Sequence, residues 1–410
     1  MNVIVWGINY GPELTGIAPY NQALCEYLQS SGHTVRMVTS FPYYPAWAKL
    51  PGDRGRLFRT DLVRGVPVHR CWHYVPARVS TLKRILHEGT FVASSWLRLL
   101  TLPRPDAYVV VSPPLLLGLA AWILTWFKPA PYLFHVQDLQ PDAAVGLGML
   151  KPSRFTRLLY WLEAKAYRHA ARVSGISQGM LDAFTRKGVP GARQTYFPNG
   201  VNLPAADSIP ARGRFRRRAG FAENDFLAVY SGNLGMKQGL EILVECAKAL
   251  VGSSVRLVIC GDGAARPQLE AAIRDQRLGN VTLLPLQPEE GYREMLVDAD
   301  VCLITQQAGS GAAFFPSKLL ATLAYGRAVV GVADDDSELR RAIGQGQFGA
   351  CVRPGEATRL AEVLRNLADE PGTRETMGKA GRRFVEQFEF TAVLREYVRG
   401  LEQVRHERGA

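Results

Sequence analysis

Short apolar runs rich in β-branched residues alternate with helix-length stretches twice along the chain, with one break between, and this alternation restricts the fold more than any other feature. In the first half the strand-like runs fall at 2–6, 34–39, 66–71, 107–111, 132–136 and 172–176, separated by helical patterns such as 17–30, 115–127 and 154–171. That rhythm predicts a mostly parallel sheet covered by helices on both faces, because parallel neighbours need a crossover long enough to hold a helix. It stops after Tyr196-Phe-Pro-Asn-Gly-Val-Asn202 and passes through a Pro-, Ala-, Gly- and Arg-rich linker at 203–218. It then restarts with runs at 226–231, 255–260, 281–285, 301–305, 328–332 and 351–352, and helical pattern closes the chain from 372 to 407. A chain of 410 residues suits two domains of about 200 residues each. The expectation is two doubly wound α/β domains, with the active site in a cleft between their carboxyl edges.

Composition narrows the function classes. Hydrophobic residues make up 47% and charged residues 21%, as in globular chains. The six cysteines form no C-x-x-C pair, and several sit in apolar runs such as Arg256-Leu-Val-Ile-Cys260, a pattern of free thiols in a reducing compartment. Neither they nor the seven histidines show metal-site spacing, so no metal is expected. Met1-Asn-Val-Ile-Val-Trp-Gly7 lacks the basic start of a signal peptide, and the longest apolar run, 115–127, falls short of the roughly 20 residues of a spanning helix. A cytoplasmic location is expected. The net charge of +12 favours phosphates or acidic lipid headgroups; no nucleic-acid-binding motif accompanies it.

Three loops carry candidate chemistry. Asn9-Tyr-Gly-Pro-Glu-Leu-Thr-Gly-Ile-Ala-Pro-Tyr20 joins the first strand to the first helix, where Gly16 lets backbone approach a bulky ligand and the helix start offers N–H groups. Tyr230-Ser-Gly-Asn-Leu-Gly-Met-Lys-Gln-Gly-Leu240 follows the first strand of the second half; Gly232, Asn233 and Lys237 suit phosphates, or else Lys237 is a solvated lysine at a helix start. Gly309-Ser-Gly-Ala-Ala-Phe-Phe-Pro-Ser-Lys-Leu-Leu320 places small residues, Gly311 among them, ahead of a helix beginning at Pro316 or Ser317. Lys318 in that first turn opposes the helix dipole and calls for an anion, or else points to solvent. Cys260-Gly-Asp-Gly263 and Leu284-Pro-Leu-Gln-Pro288 end neighbouring strands, where a base could be clasped, with Leu286 at the second. Asp138, after the strand at 132–136, could bind a sugar hydroxyl, accept its proton, or cap a turn. Asp334-Asp-Asp336 reads as a helix start rather than a metal cluster.

Gly7-Ile-Asn-Tyr-Gly-Pro-Glu-Leu-Thr-Gly16, Phe41-Pro-Tyr-Tyr-Pro45, Val79-Ser-Thr-Leu-Lys-Arg84, Tyr230-Ser-Gly-Asn233, Lys237-Gln-Gly-Leu-Glu241 and Pro316-Ser-Lys-Leu319 occur in an order that resembles glycosyltransferase family 4 along nearly the full length. The resemblance is greatest to the colanic-acid-type enzymes of exopolysaccharide assembly. It implies the GT-B fold: two Rossmann-like domains facing across a cleft, 1–203 for acceptor and 204–385 for the nucleotide-sugar donor, with a C-terminal helix at 386–410 crossing back to the first domain. It also implies retaining transfer of a hexosyl or deoxyhexosyl unit from a GDP- or UDP-sugar to a polyprenyl-diphosphate-linked saccharide. The family needs no metal or other cofactor, because cationic side chains and helix N-termini stabilise the leaving diphosphate. Lys237 falls at the family's catalytic lysine, and Lys318 and Ser317 join the diphosphate site. Asn233 stands near where many relatives carry arginine. Phe314 and Ala321 stand where many carry two glutamates that hold donor sugar and ribose, which supports a non-catalytic scaffold as a rival; a nucleotide-sugar epimerase, another GT-B enzyme that would act on the donor without an acceptor, is a second.

Bulky apolar and basic residues also intermix in 78–100, including Lys83, Arg84, Trp96 and Arg98. They suit a helix lying in a membrane interface or an amphipathic helix packed on the sheet. With lipid-linked acceptors implied, the expectation is peripheral contact of this segment with an anionic inner membrane.

Overall fold

The computed structural model describes residues 1–13, 16–44, 46–78, 80–146, 150–151, 153–235, 238–309 and 317–409. The chain divides into two compact units, Met1–Gly200 with Phe390–Ala410, and Val201–Glu389.

Among the described residues, unit 1 is built on strands β1 (Asn2–Trp6), β2 (Thr34–Ser40), β3 (Phe58–Val63), β4 (Val66–Cys71), β5 (Ala107–Ser112), β6 (Tyr132–Val136), β7 (Arg172–Gly175) and β8 (Gln194–Tyr196). They form one sheet in the order β3-β4-β2-β1-β5-β6-β7-β8. All neighbours are parallel except the β3–β4 hairpin. Val3, Ile4, Val5 and Trp6 of β1 are fully buried, as expected of a central strand covered on both faces. Unit 2 carries β9 (Phe226–Ser231), β10 (Val255–Cys260), β11 (Val281–Leu284), β12 (Val301–Thr305), β13 (Ala328–Val332) and β14 (Gly349–Val352). Its order, β11-β10-β9-β12-β13-β14, is all parallel and is the doubly wound arrangement.

Two strands escape the apolar alternation, for physical reasons. β3 is an edge strand that exposes Phe58 and Leu62 and turns Arg59 and Asp61 inward. There Asp61 accepts from Arg59 Nε and Arg70 Nε, each at 2.7 Å. Its pattern is inverted because paired charges hold its inner side. β8 spans only three residues at the other edge.

The terminal helical pattern proves to be two helices, Pro371–Val385 and Phe390–Gly409, with a 3-10 turn at Glu386–Phe388 between them. The first belongs to unit 2. The second belongs to unit 1, where Val393, Leu394, Tyr397, Val398, Leu401 and Val404 share a core with β1 and the helix Ala18–Ser30. The crossings lie at 200/201 and 389/390, against 203/204 and 385/386 from sequence. Backbone pairing sets this position: Val201 N donates to Phe388 O at 2.8 Å, and Val201 bridges Glu389.

Tyr397 locks the terminal helix. Its ring stacks on Phe197 at 3.7 Å, and Phe197 lies 4.7 Å from the ring of His135. His135 is buried, paired with Ser174 Oγ at 2.9 Å, and burial pushes its pKa down to about 3. Tyr397→Ala is expected to cost about 3–5 kcal/mol, the usual range for removing a large buried aromatic ring, measured by urea unfolding. Burial also pulls His69 down to about 4 and His73 well below its ordinary range. All three imidazoles are neutral when folded and ionise near pH 6.5 when unfolded. Stability is therefore retained above pH 6.5 and falls below it, by up to about 1.4 kcal/mol per group per pH unit until each folded pKa is reached. Urea midpoints that stay level from pH 7 to 4.5 would contradict this.

Candidate active site

The sheet of unit 2 reverses direction between β9 and β12, and ligands of such sheets bind beyond the carboxyl ends at that reversal. Two of the loops singled out from sequence start there. Tyr230, near the end of β9, is buried and donates its hydroxyl to Asn233 O at 2.8 Å, which folds the loop back over the strand. Gly232 N donates to Cys260 O at 2.9 Å. The β10 loop lies flush against this turn. A Cβ on Gly261 would sit 1.9 Å from Gly232 O, and one on Gly263 would sit 2.6 Å from Leu234 O. Both glycines also have φ of 152°, so no other residue fits. Asn233 is exposed and lies over Gly263, 2.7 Å from where a Cβ would be.

The helix Ser317–Ala324 follows β12 and brings Lys318 in from the other side. Lys318 Nζ stands 3.8 Å from the centre of the Tyr230 ring. It is 3.2 Å from where a Cβ on Gly232 would lie. The residue is only part-buried, yet its ammonium is shut away from solvent and has no hydrogen-bond partner among the described residues. Burial pulls its pKa down to about 7. The ring face offers a cation–π contact but no counter-charge. A helix N-terminus adds positive potential of the same sign. Thr305 Oγ1, at the end of β12, is likewise buried without a partner among the described residues. Buried polar groups are normally satisfied, so this corner has the chemistry to accept an anion with several oxygens.

Of the residues marked from sequence, the structure gathers Gly232, Asn233 and Lys318 here. Ser317 opens the helix, and Ala321 lies one turn further on. Lys237, Gly311 and Phe314 lie outside the described residues. Leu286 is exposed in the β11 loop. Arg266 ties that loop to its neighbour, donating to Gly261 O at 2.6 Å and Leu284 O at 3.1 Å. Asp334 and Asp335 serve the scaffold: Asp334 accepts from Gly309 N at 2.7 Å and Asp335 pairs with Arg353 at 2.6 Å. Ser337 caps the helix Glu338–Gly346.

Unit 1 reverses between β1 and β5, and its first loop is held by a residue that sequence reasoning left without a role. Glu13 is buried and accepts from Tyr43 N at 2.9 Å, Tyr44 N at 2.8 Å and Asn9 Nδ2 at 2.8 Å. Burial raises its carboxyl pKa despite these donors. Glu13 thus staples the two motifs Gly7–Gly16 and Phe41–Pro45 together, which only their joint appearance in the sequence hinted at. Gly16, with φ of 68°, is exposed beside Tyr44, and Asp138 is exposed after β6.

The basic segment forms the helix Thr81–Thr101, capped by Ser80. Lys83 and Arg84 are exposed with Leu82, Ile85 and Leu86. Trp96 and Arg98 are not part of that exposed face. Trp96 packs edge-on to Phe127 at 5.6 Å, and Arg98 reaches Thr60 Oγ1 at 3.1 Å and His69 Nδ1 at 3.2 Å. Arg98 thus ties the end of this helix to the β3–β4 hairpin, and Trp96 is half-buried beside the exposed Phe127. Among the described residues, no helix is long and apolar enough to cross a membrane, and no group of three His, Cys, Asp or Glu could hold a metal ion.

Comparison with known proteins agrees with this layout. Residues 15–200 match the glycosyl transferase 4-like domain, and residues 211–384 match glycosyl transferases group 1. The putative colanic acid biosynthesis glycosyl transferase WcaI of Escherichia coli is 34% identical over 347 residues, covering 83% of this chain and 85% of its own. In fold, sucrose-phosphate synthase from Thermosynechococcus elongatus superposes with a TM-score of 0.76 at 19% identity, covering 98% of each chain. Anabaena HepE in complex with UDP-glucose gives 0.70 at 16% identity, covering 98% of this chain and 100% of that one. The chain has the GT-B fold and belongs to glycosyltransferase family 4, among the relatives of WcaI.

Proposed function

We propose that the protein transfers a sugar from a nucleoside diphosphate donor, GDP- or UDP-linked, to a lipid-linked saccharide during exopolysaccharide assembly, with retention at the anomeric carbon. The observation that carries the donor half is the enclosed ammonium of Lys318, without a partner among the described residues, at the switch point of unit 2. A diphosphate there would supply the missing counter-charge and accept from the helix N-terminus. As the bond to the sugar breaks, negative charge grows on the leaving phosphate, and Lys318 with Lys237 would stabilise it most in the transition state. Such cations can do the work of a metal, so we propose metal-independent transfer. HepE has been solved with UDP-glucose, which supports a nucleotide sugar as donor.

In this reading Gly232 and Asn233 would shape the phosphate site, Ser317 and Gly311 would take part in donor binding, and Leu286 would flank the base. Asp138 and Gly16 would serve sugar binding in unit 1. The leaving diphosphate would assist deprotonation of the acceptor hydroxyl as it attacks from the same face. The similarity to WcaI supports exopolysaccharide assembly as the setting, and the lipid carrier in this reading would be a polyprenyl diphosphate. The exposed Leu82, Lys83, Arg84, Ile85 and Leu86 support peripheral contact with the anionic inner membrane from the cytoplasmic side. Ala321, in place of a ribose-binding glutamate, is what would favour a scaffold without activity.

Lys318→Met is expected to weaken nucleoside diphosphate binding by roughly 10- to 100-fold, the range of one lost charge-assisted bond. Lys237→Ala is expected to lower the transfer rate by about 100-fold or more with a smaller effect on donor binding. Both are read by calorimetry and by sugar appearing on lipid extract. Conversion of the donor without acceptor would favour the epimerase; failure of every UDP- and GDP-sugar to bind would favour the scaffold.

A further inference from the structure

The helix Arg154–His169 of unit 1 turns an atypical face to solvent. Its inner side is Thr156, Glu163, Ala166 and Tyr167, all buried. Opposite them, at spacings of three and four residues, one stripe carries Arg154, Arg157, Leu158, Trp161, Lys165 and Arg168. Leu158 is 48% exposed and Trp161 55% exposed, so apolar side chains stand in the middle of the outward stripe. A solvated helix face normally mixes charges of both signs. Here the one acidic residue of the helix is Glu163, which is buried and paired with Lys187. The face therefore offers cations and aromatic surface and no acid.

The surroundings continue the pattern. Lys165 lies over the Trp161 ring at 5.5 Å. Arg154, Arg157, Leu158 and Trp161 line a shallow open depression, and the same two arginines border a second one toward Val145 and Tyr160. The helix Leu116–Phe127 packs alongside, with Trp122 stacked on His169 at 4.0 Å, and ends in Trp126 and Phe127, which are 63% and 61% exposed. Guanidinium groups recognise phosphate oxygens by paired hydrogen bonds, and tryptophan favours the headgroup zone of a bilayer. Both depressions are shallow and open, whereas single-stranded nucleic acid is bound in grooves where successive bases stack.

We infer that the outer face of Arg154–His169, with the exposed end of Leu116–Phe127, docks on an anionic phospholipid bilayer. Phosphodiester headgroups would sit between Arg154 and Arg157, and Leu158 and Trp161 would enter the interfacial layer. This deepens the membrane reading above and rests on it, but adds a second attachment, separate from Leu82–Leu86, that would fix the orientation of unit 1 on the surface.

The test is sedimentation of the full chain with vesicles of phosphatidylglycerol and phosphatidylcholine against phosphatidylcholine alone. Arg154→Glu with Arg157→Glu, and separately Trp161→Ser, are compared with Lys248→Glu with Arg274→Glu on unit 2 as a control for net charge; melting curves verify folding. The expected result is binding to the anionic vesicles only, weakened about tenfold or more by the helix variants and little by the control. Helix variants that bind as tightly as the original chain would overturn the inference. If Leu82→Ser with Leu86→Ser then abolished binding, the first membrane contact would stand alone. No binding by the original chain would overturn both. Competition by a single-stranded oligonucleotide for the same residues, without vesicle binding, would make the face a nucleic-acid site and also overturn it.

Discussion

A lysine ammonium closed off from water without a counter-charge is costly, and the donor half of this account depends on that cost. In unit 2 the parallel sheet reverses between β9 and β12, and Lys318 enters the corner from the helix Ser317–Ala324. There it meets the face of Tyr230 at 3.8 Å, and its ammonium has no hydrogen-bond partner among the described residues. Desolvation alone pulls it down to about 7. A core built only for stability would place an apolar side chain or a paired one at this position. The proposed diphosphate would bring the negative charge that the described part of this corner lacks.

The loops around that corner are fixed by backbone contact. Gly261 and Gly263 let the β10 loop lie against the carbonyls of Gly232 and Leu234, and the Tyr230 hydroxyl closes the turn at Asn233. Unit 1 uses another device for the same purpose. Glu13 gathers the amides of Tyr43 and Tyr44, and Arg70 donates to Gly11 O at 2.5 Å, so the β1 loop is tied to its neighbours by buried charge.

The alternation of apolar runs made the doubly wound architecture legible because each central strand is buried on both faces and reads as an unbroken apolar run. It failed at β3, where Arg59 and Asp61 face inward and satisfy each other and Arg70, a pairing that periodicity cannot reveal. It also ran two helices together at the C-terminus. The break at Glu386–Phe388 is set by pairing with Val201, nearly two hundred residues away in sequence. At the candidate site, Lys318 was legible as a cation in the first turn of a helix. Its contact with Tyr230 was not, because that depends on the spatial order of β9 and β12. Arg98 read as membrane-facing from composition, and only its bonds to Thr60 and His69 show it tied to the β3–β4 hairpin, while Trp96 is half-buried beside Phe127. Glu13 stood in a motif that was noticed for its glycines.

The most direct test of the central claim is the proton balance of nucleoside diphosphate binding at pH 8, measured by calorimetry in two buffers of different ionisation heat. Lys318 is largely neutral there when the site is empty, and a bound diphosphate would hold its proton. The account expects uptake of close to one proton with the original chain and none with Lys318→Met, together with affinity that falls as pH rises above 7. Binding without proton uptake, equally tight in the variant, would show that Lys318 is not the diphosphate anchor.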